Sequence, residues 1–131
     1  MDKNKKQAFH LRELEKSFPY SQAVKVGKTL YLSGSVSWDQ DGQVVAAGDM
    51  KAQMRNAYED IRKTLDAHGA TSDSIVKETV YTKDIDAAVE AADVRREFYG
   101  DSTPPASTWV QISRLVHPEL LIEVEVVAQL P

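Results

Sequence analysis

The chain has 131 residues, a formal net charge of −4 and a pI near 5.3, a length that fits one domain, 1–131, burying roughly two thirds of its unfolded surface without staples. It contains no cysteine, which excludes a disulfide framework, a thiol nucleophile and a thiolate metal site. The acidic balance, with bases and acids interleaved over 55–63 as on a solvated helix face, argues against electrostatic capture of nucleic acid, and no apolar run approaches a signal or membrane-spanning length. The expectation is a cytoplasmic protein with a loose polar N-terminus at 1–7, and with neither nucleic acid nor membrane as a partner.

In chain order, 8–14 is a weakly patterned candidate edge strand, broken over 17–22 because Pro19 fixes its own φ and biases Phe18 toward extended geometry. Residues 23–26 and 29–36 read as a hairpin about Gly27 and Lys28. Gly34, inside the second of these strands, points to a bulge or to the close approach of another backbone or a ligand. A loop carries Trp38 and the turn pair Asp41 and Gly42. Asp49 is a good N-cap for a helix in which Met50, Met54, Ala57, Ile61 and Leu65 recur at helical spacing and which Gly69 ends.

Residues 75–83 form a β-branched strand, and Asp84 leads into a second helix with Val89, Val94 and Phe98 inward and Gly100 past its end. Pro104 and Pro105 block continuation. Residues 107–115 and 120–130, joined by a turn at 116–119, read as a C-terminal hairpin. In its second strand Ile122, Val124, Val126 and Ala128 share one face, leaving Glu123, Glu125 and Val127 on the other. The order β-β-β-α-β-α-β-β predicts an α+β fold, a mixed sheet with two helices packed on one face.

Three blocks, SFPYSQAVKVGKTLYLSG, DSIVKETVYTKD and RLVHPELLIEVEVVA, together resemble the YjgF family, also called the RidA or reactive-intermediate deaminase family, from about Pro19 to Ala128. The resemblance implies a chorismate-mutase-like fold in which three chains pack their open sheet faces into a trimeric barrel. It also implies a small-molecule ligand in a cleft between subunits and no cofactor. Active members clamp a substrate carboxylate with an arginine in a P-A-R-S-type segment; the corresponding segment here is Pro105-Ala106-Ser107-Thr108, so Ser107 stands where that arginine would. A family asparagine in the second helix aligns with Ala92, a second departure.

The resemblance assigns the water-activating carboxylate to Glu123, the cleft aromatic to Tyr20 and the serine of the S-G pair to Ser33. A carboxylate suits imine hydrolysis because it can take a proton from the attacking water and return it to the departing amine. Trp38 is a candidate lid, Thr108 and Trp109 flank the altered position, and Arg95 and Arg114 are the nearest replacement cations. Each has a bland counterpart: Glu123 as a solvated strand residue, Tyr20 as core, Ser33 as the cap of a bulge, the two tryptophans as packing and the arginines as surface groups. His10, His68 and His117 share no zinc-binding spacing and are expected to be surface or packing residues, with no metal. No G-x-S-x-G elbow is present. Three function classes follow: an enamine or imine deaminase with altered specificity, a branch of the kind that includes 2-aminomuconate deaminases; a non-catalytic ligand-binding or regulatory trimer; and, against the charge, an RNA-directed nuclease.

Overall fold

The computed structural model describes residues 5–131, so the loose N-terminus expected at 1–7 falls largely outside the described residues. The elements are β1 (Gln7–Phe9), α1 (Leu14–Ser17), β2 (Ala23–Val26), β3 (Thr29–Leu32), α2 (Met50–Asp66), a 3-10 turn (Ser72–Ser74), β4 (Ile75–Thr82), α3 (Ile85–Glu90), α4 (Ala92–Tyr99), β5 (Ala106–Gln111) and β6 (Ile122–Gln129). They build one six-stranded sheet of order β1-β2-β3-β6-β4-β5 in which β4 and β5 run parallel and the other pairs antiparallel. The fold is the expected α+β arrangement.

The α2 helix forms as its pattern predicts. The Asp49 side chain accepts from the Ala52 N–H, and Met54, Ala57, Ile61 and Leu65 are buried against the sheet while Arg55, Glu59, Arg62 and Lys63 face water. Asp60 leaves that solvated face: it is buried and paired with Arg12. On β6, Ile122, Val124, Val126 and Ala128 point into the core, all at 1% exposure or less. Glu123, Glu125 and Val127 lie on the opposite sheet face, where Tyr31 is half exposed.

Four local expectations need correction. The edge strand expected over 8–14 is present but shorter, as β1: pairing stops at Phe9, and a single helical turn follows at Leu14–Ser17. The strand expected over 29–36 breaks after Leu32 and re-pairs only at Ser35, which bridges Val124. Because Tyr31 pairs with Val127 but Ser35 with Val124, one more residue is used on the β3 side, so Ser33 and Gly34 form a bulge. The second helix is two short ones, since Ala91 at φ −87° and ψ 5° interrupts it; the change of phase turns Val89 outward, 59% exposed, and puts Ala88 and Ala91 inward instead.

The fourth correction matters most for the site: β5 and β6 do not form a hairpin. The helical crossover delivers β5 parallel to β4 on the free edge of β4, so the chain must pass the end of β4 to reach the gap between β3 and β4, where β6 finds a partner on both sides. Residues 112–121 make that passage, anchored by Ile112 N–H to the Thr82 carbonyl at 2.9 Å and Lys83 N–H to the Leu121 carbonyl at 3.0 Å.

Candidate functional site

The site grows from the bulge in β3. At Gly34 the chain lies so close to β6 that a Cβ there would overlap the Glu123 carboxylate and sit 2.7 Å from Glu123 Cγ. Only glycine lets the carboxylate fold down onto this backbone. Burial, and then the charge of Glu125 two residues on, push the Glu123 carboxyl above the usual carboxylate range. That places a carboxyl of raised pKa at a cavity of about 510 Å³ bordered by Tyr20, Ser33, Gly34, Trp38, His117 and Glu123 itself.

Two buried charged side chains, Glu15 and Arg12, hold the cavity walls. The Glu15 carboxylate, 1% exposed, accepts from the backbone N–H groups of Leu11 and Arg12 on one oxygen and of Gln22 on the other, at 2.7–2.9 Å, which closes the 11–22 segment into a clasp and sets Tyr20 at the cavity. Arg12 pairs with Asp60 of α2 at 2.7 Å and donates to the carbonyls of Trp38 and Asp39 at 3.0 Å, tying the loop that carries Trp38 to the same framework. The phenol of Tyr20 is raised by burial first and then by nearby carboxylates including Glu123, so it stays a neutral donor. Ser33 donates its hydroxyl to the Ser21 carbonyl at 2.6 Å and borders the cavity.

Glu123, Tyr20, Ser33 and Trp38 therefore converge, but the other three sequence candidates do not join them. Ser107 pairs in register with Glu78 and its side chain lies on the helix-covered face, opposite Glu123. Trp109 is on the same face as Ser107 and donates its indole N–H to Ser107 Oγ at 3.0 Å. Thr108 is on the open face at the sheet edge, accepting from Lys77 at 3.2 Å.

Ser107 belongs to a second cluster that the sequence reading missed. Glu78 is 0% exposed, and its Oε2 accepts from the Tyr58 and Tyr99 hydroxyls, each at 2.7 Å. Its Oε1 accepts from Arg95 Nε at 2.8 Å and Ser107 Oγ at 2.7 Å. Burial, reinforced by Glu78, holds both phenols far above their usual range, so they remain donors. The signal was present in the inward phase that Glu78 shares with Val80 and Thr82, but a carboxylate at an inward position is the exception that a pattern argument reads past.

His117 is half-buried at the same site. It borders the main cavity, and its Nδ1 accepts the Glu119 N–H at 3.1 Å, which puts the proton of the neutral ring on Nε2. Phe18 and Val116, 69% and 68% exposed, form apolar lips at the cavity mouth.

Residues 11–130 match the model of the family described as endoribonuclease L-PSP. This chain belongs to the YjgF/RidA family. A RutC family protein of Pyrococcus abyssi is 37% identical over 110 residues, covering 84% of this chain and 85% of the relative. A 2-iminobutanoate/2-iminopropanoate deaminase of Dermatophagoides farinae is 30% identical over 90 residues, 69% of this chain and 70% of that protein. Among solved structures, a protein of unknown function of the conserved Rid family from Yersinia pestis superposes with a TM-score of 0.85 at 29% identity, over 96% of this chain and 100% of its own. In this fold Gly34 and Glu123 meet at a cleft, and Ser107 is turned toward the buried Glu78. Among the described residues no helix is long and apolar enough to cross a membrane.

Proposed function

We propose that this chain hydrolyses a small enamine or imine and releases ammonia, with Glu123 as the proton-transfer group. The observation that carries the reading is the seating of the Glu123 carboxylate on Gly34 beside Tyr20 and Ser33. Water held by Glu123 gives it a proton as its oxygen bonds to the C=N carbon, and the C=N electron pair moves to the protonated nitrogen. Glu123 then returns the proton to the amine, the C–N bond breaks as the new hydroxyl gives its own proton to Glu123, and a carbonyl and ammonia leave. The name of the Dermatophagoides farinae relative supports this chemistry.

Because Ser107 and Glu123 lie on opposite faces of one sheet, a ligand that touches both must lie between two copies. The half-exposed Tyr31 and partly covered Tyr81 and Val127 on the open face support its burial in an assembly, which we take to be a trimer in the cytoplasm. Analytical ultracentrifugation should give three times the chain mass of 14.6 kDa. With a serine in place of the edge-strand arginine, the preference among 2-iminoacids is expected to differ from that of active members.

The test is ammonia release from enamines and imines generated in situ, including 2-iminopropionate and 2-aminomuconate. Wild type should be active on at least one, and Glu123→Gln at least about a hundredfold slower. The loss of the arginine favours a second reading, a ligand-binding trimer without catalysis; there, ligand affinity would survive Glu123→Gln and no ammonia would form.

The raised pKa of Glu123 sets the pH dependence. The base must be ionised, so kcat/KM should fall as pH drops through a value above the ordinary glutamate range. Glu125 contributes to that elevation, so Glu125→Gln should move the acid limb to lower pH. A pH–rate profile in which Glu125→Gln leaves the limb in place, or moves it upward, contradicts this account.

A further inference from the structure

We propose that Arg95, delivered by α4, is the anion-binding arginine of this chain, and that it receives a carboxylate of the ligand beside Ser107. The proposal rests on the deaminase reading only for the identity of the carboxylate's owner. Its basis is the state of the Arg95 guanidinium, which is held in place yet leaves one edge unused. Nε is fixed to Glu78 at 2.8 Å and the guanidinium carbon lies 4.8 Å from the Tyr99 ring centroid, while the side chain is 19% exposed. Neither Nη makes a hydrogen bond to a described residue, and neither is buried without a partner, so both face solvent.

Such a fork suits a planar carboxylate through two parallel N–H···O bonds. Because Glu78 and Tyr99 already restrain the side chain, binding costs little further rotamer entropy. Glu78 itself, saturated by two phenols, a hydroxyl and Nε, acts as a positioning residue rather than as a competitor for the free edge.

Ser107 cannot serve in place of Arg95. Its single proton goes to Glu78, and its oxygen already accepts from Trp109, so it has no donor left for an anion. Arg95 Nε and Ser107 Oγ both reach the same Glu78 oxygen, which sets the guanidinium next to the position where active family members carry their arginine. The charge absent from the edge strand is thereby supplied from the neighbouring helix. Arg114 is the rival cation, but the recess it borders also contains Glu123 and Glu125, and its Nε and one Nη are turned to the carbonyls of Leu115 and Val116. Two carboxylates in that recess disfavour a third.

The probe is pyruvate, an unreactive 2-oxo acid, titrated into the full chain and followed by NMR. Arg95→Lys keeps a charge for Glu78 and hence the fold, but loses the fork. The pair Glu78→Gln with Arg95→Gln removes both charges together, so neither is left buried alone. Wild type and Arg114→Gln should bind alike, with Arg95→Lys weaker by about tenfold and the pair by about ten- to a hundredfold. Absence of pyruvate binding to wild type, wild-type affinity in both Arg95 variants, or a loss carried by Arg114→Gln overturns the assignment. If binding depends on Arg95 while no imine yields ammonia, the anion site stands and the deaminase reading falls.

Discussion

Glu78→Ala is expected to be the most destabilising single substitution in the chain, at about 3–5 kcal/mol against a typical total of about 5–15 kcal/mol. The size follows from what the truncation strands. Glu78 is fully buried and is the shared acceptor for Tyr58, Tyr99, Arg95 and Ser107, which come from α2, α4 and β5. Removing it leaves two buried phenols without an acceptor and a partly buried guanidinium without its counter-ion. The cost should sit toward the lower end of the range because Arg95 keeps some contact with water.

Glu78→Gln keeps an acceptor oxygen for part of the set and should cost roughly half as much, about 1–3 kcal/mol. Denaturant unfolding at fixed protein concentration separates the variants: the midpoint should fall with an unchanged m value. A shift of less than about 1 kcal/mol for Glu78→Ala would mean that the cluster is replaceable packing, not the joint between α2, α4 and the β5 edge.

The same cluster explains where sequence reading stopped. The α2 helix, its Asp49 cap and the alternation of β6 were legible because each depends on residues close in sequence, and burial follows the pattern directly. The neighbours of β6 were not legible. Two strands adjacent in sequence look like a hairpin, and nothing local in 107–130 reveals that β4 already occupies the intervening place in the sheet. Once β6 is placed between β3 and β4, Glu123 comes to lie over Gly34 and across from Tyr81.

Gly34 itself was legible as a close approach, but its partner was not, since a glycine names a vacancy and not its occupant. Ionic joints of long sequence separation, Arg12 with Asp60 and Arg95 with Glu78, escaped for a related reason. A charged residue in an amphipathic pattern defaults to water unless its partner can be seen. The resemblance to a family had the opposite strength: it singled out Tyr20, Ser33 and Glu123, which border one cavity, but it could not say which way a substituted Ser107 would turn.

Gly34→Ala should disable the site without touching any chemical group. A methyl on Gly34 would overlap the Glu123 carboxylate, so either the side chain swings away or β3 and β6 separate. The backbone here is held by paired bonds between Ser35 and Val124 at 2.8 and 3.0 Å, whereas the glutamate has three rotatable bonds, so the side chain should yield. A displacement of about 1 Å in a catalytic group is enough to cost about a hundredfold in rate. The double variant Gly34→Ala with Glu123→Gln should then be no slower than Glu123→Gln alone, since residues in contact are not additive.

A stability cycle tests the same contact without any substrate. In the wild-type background Gly34→Ala should lower Tm, because the new methyl competes with the carboxylate for one space. With Glu123→Ala the competitor is gone, and Gly34→Ala should become neutral or raise Tm by restricting the unfolded chain, an effect of about 0.4–1 kcal/mol. Ionised Glu123 also costs the fold something, because its folded-state pKa is raised. The stability of its protonated form is present at low pH and declines as pH rises through that value. Glu123→Gln should accordingly melt higher than wild type at neutral pH, with the gap closing in acid. Equal destabilisation by Gly34→Ala in both backgrounds would show that the methyl strikes the backbone, and that the glycine serves the bulge and not the glutamate.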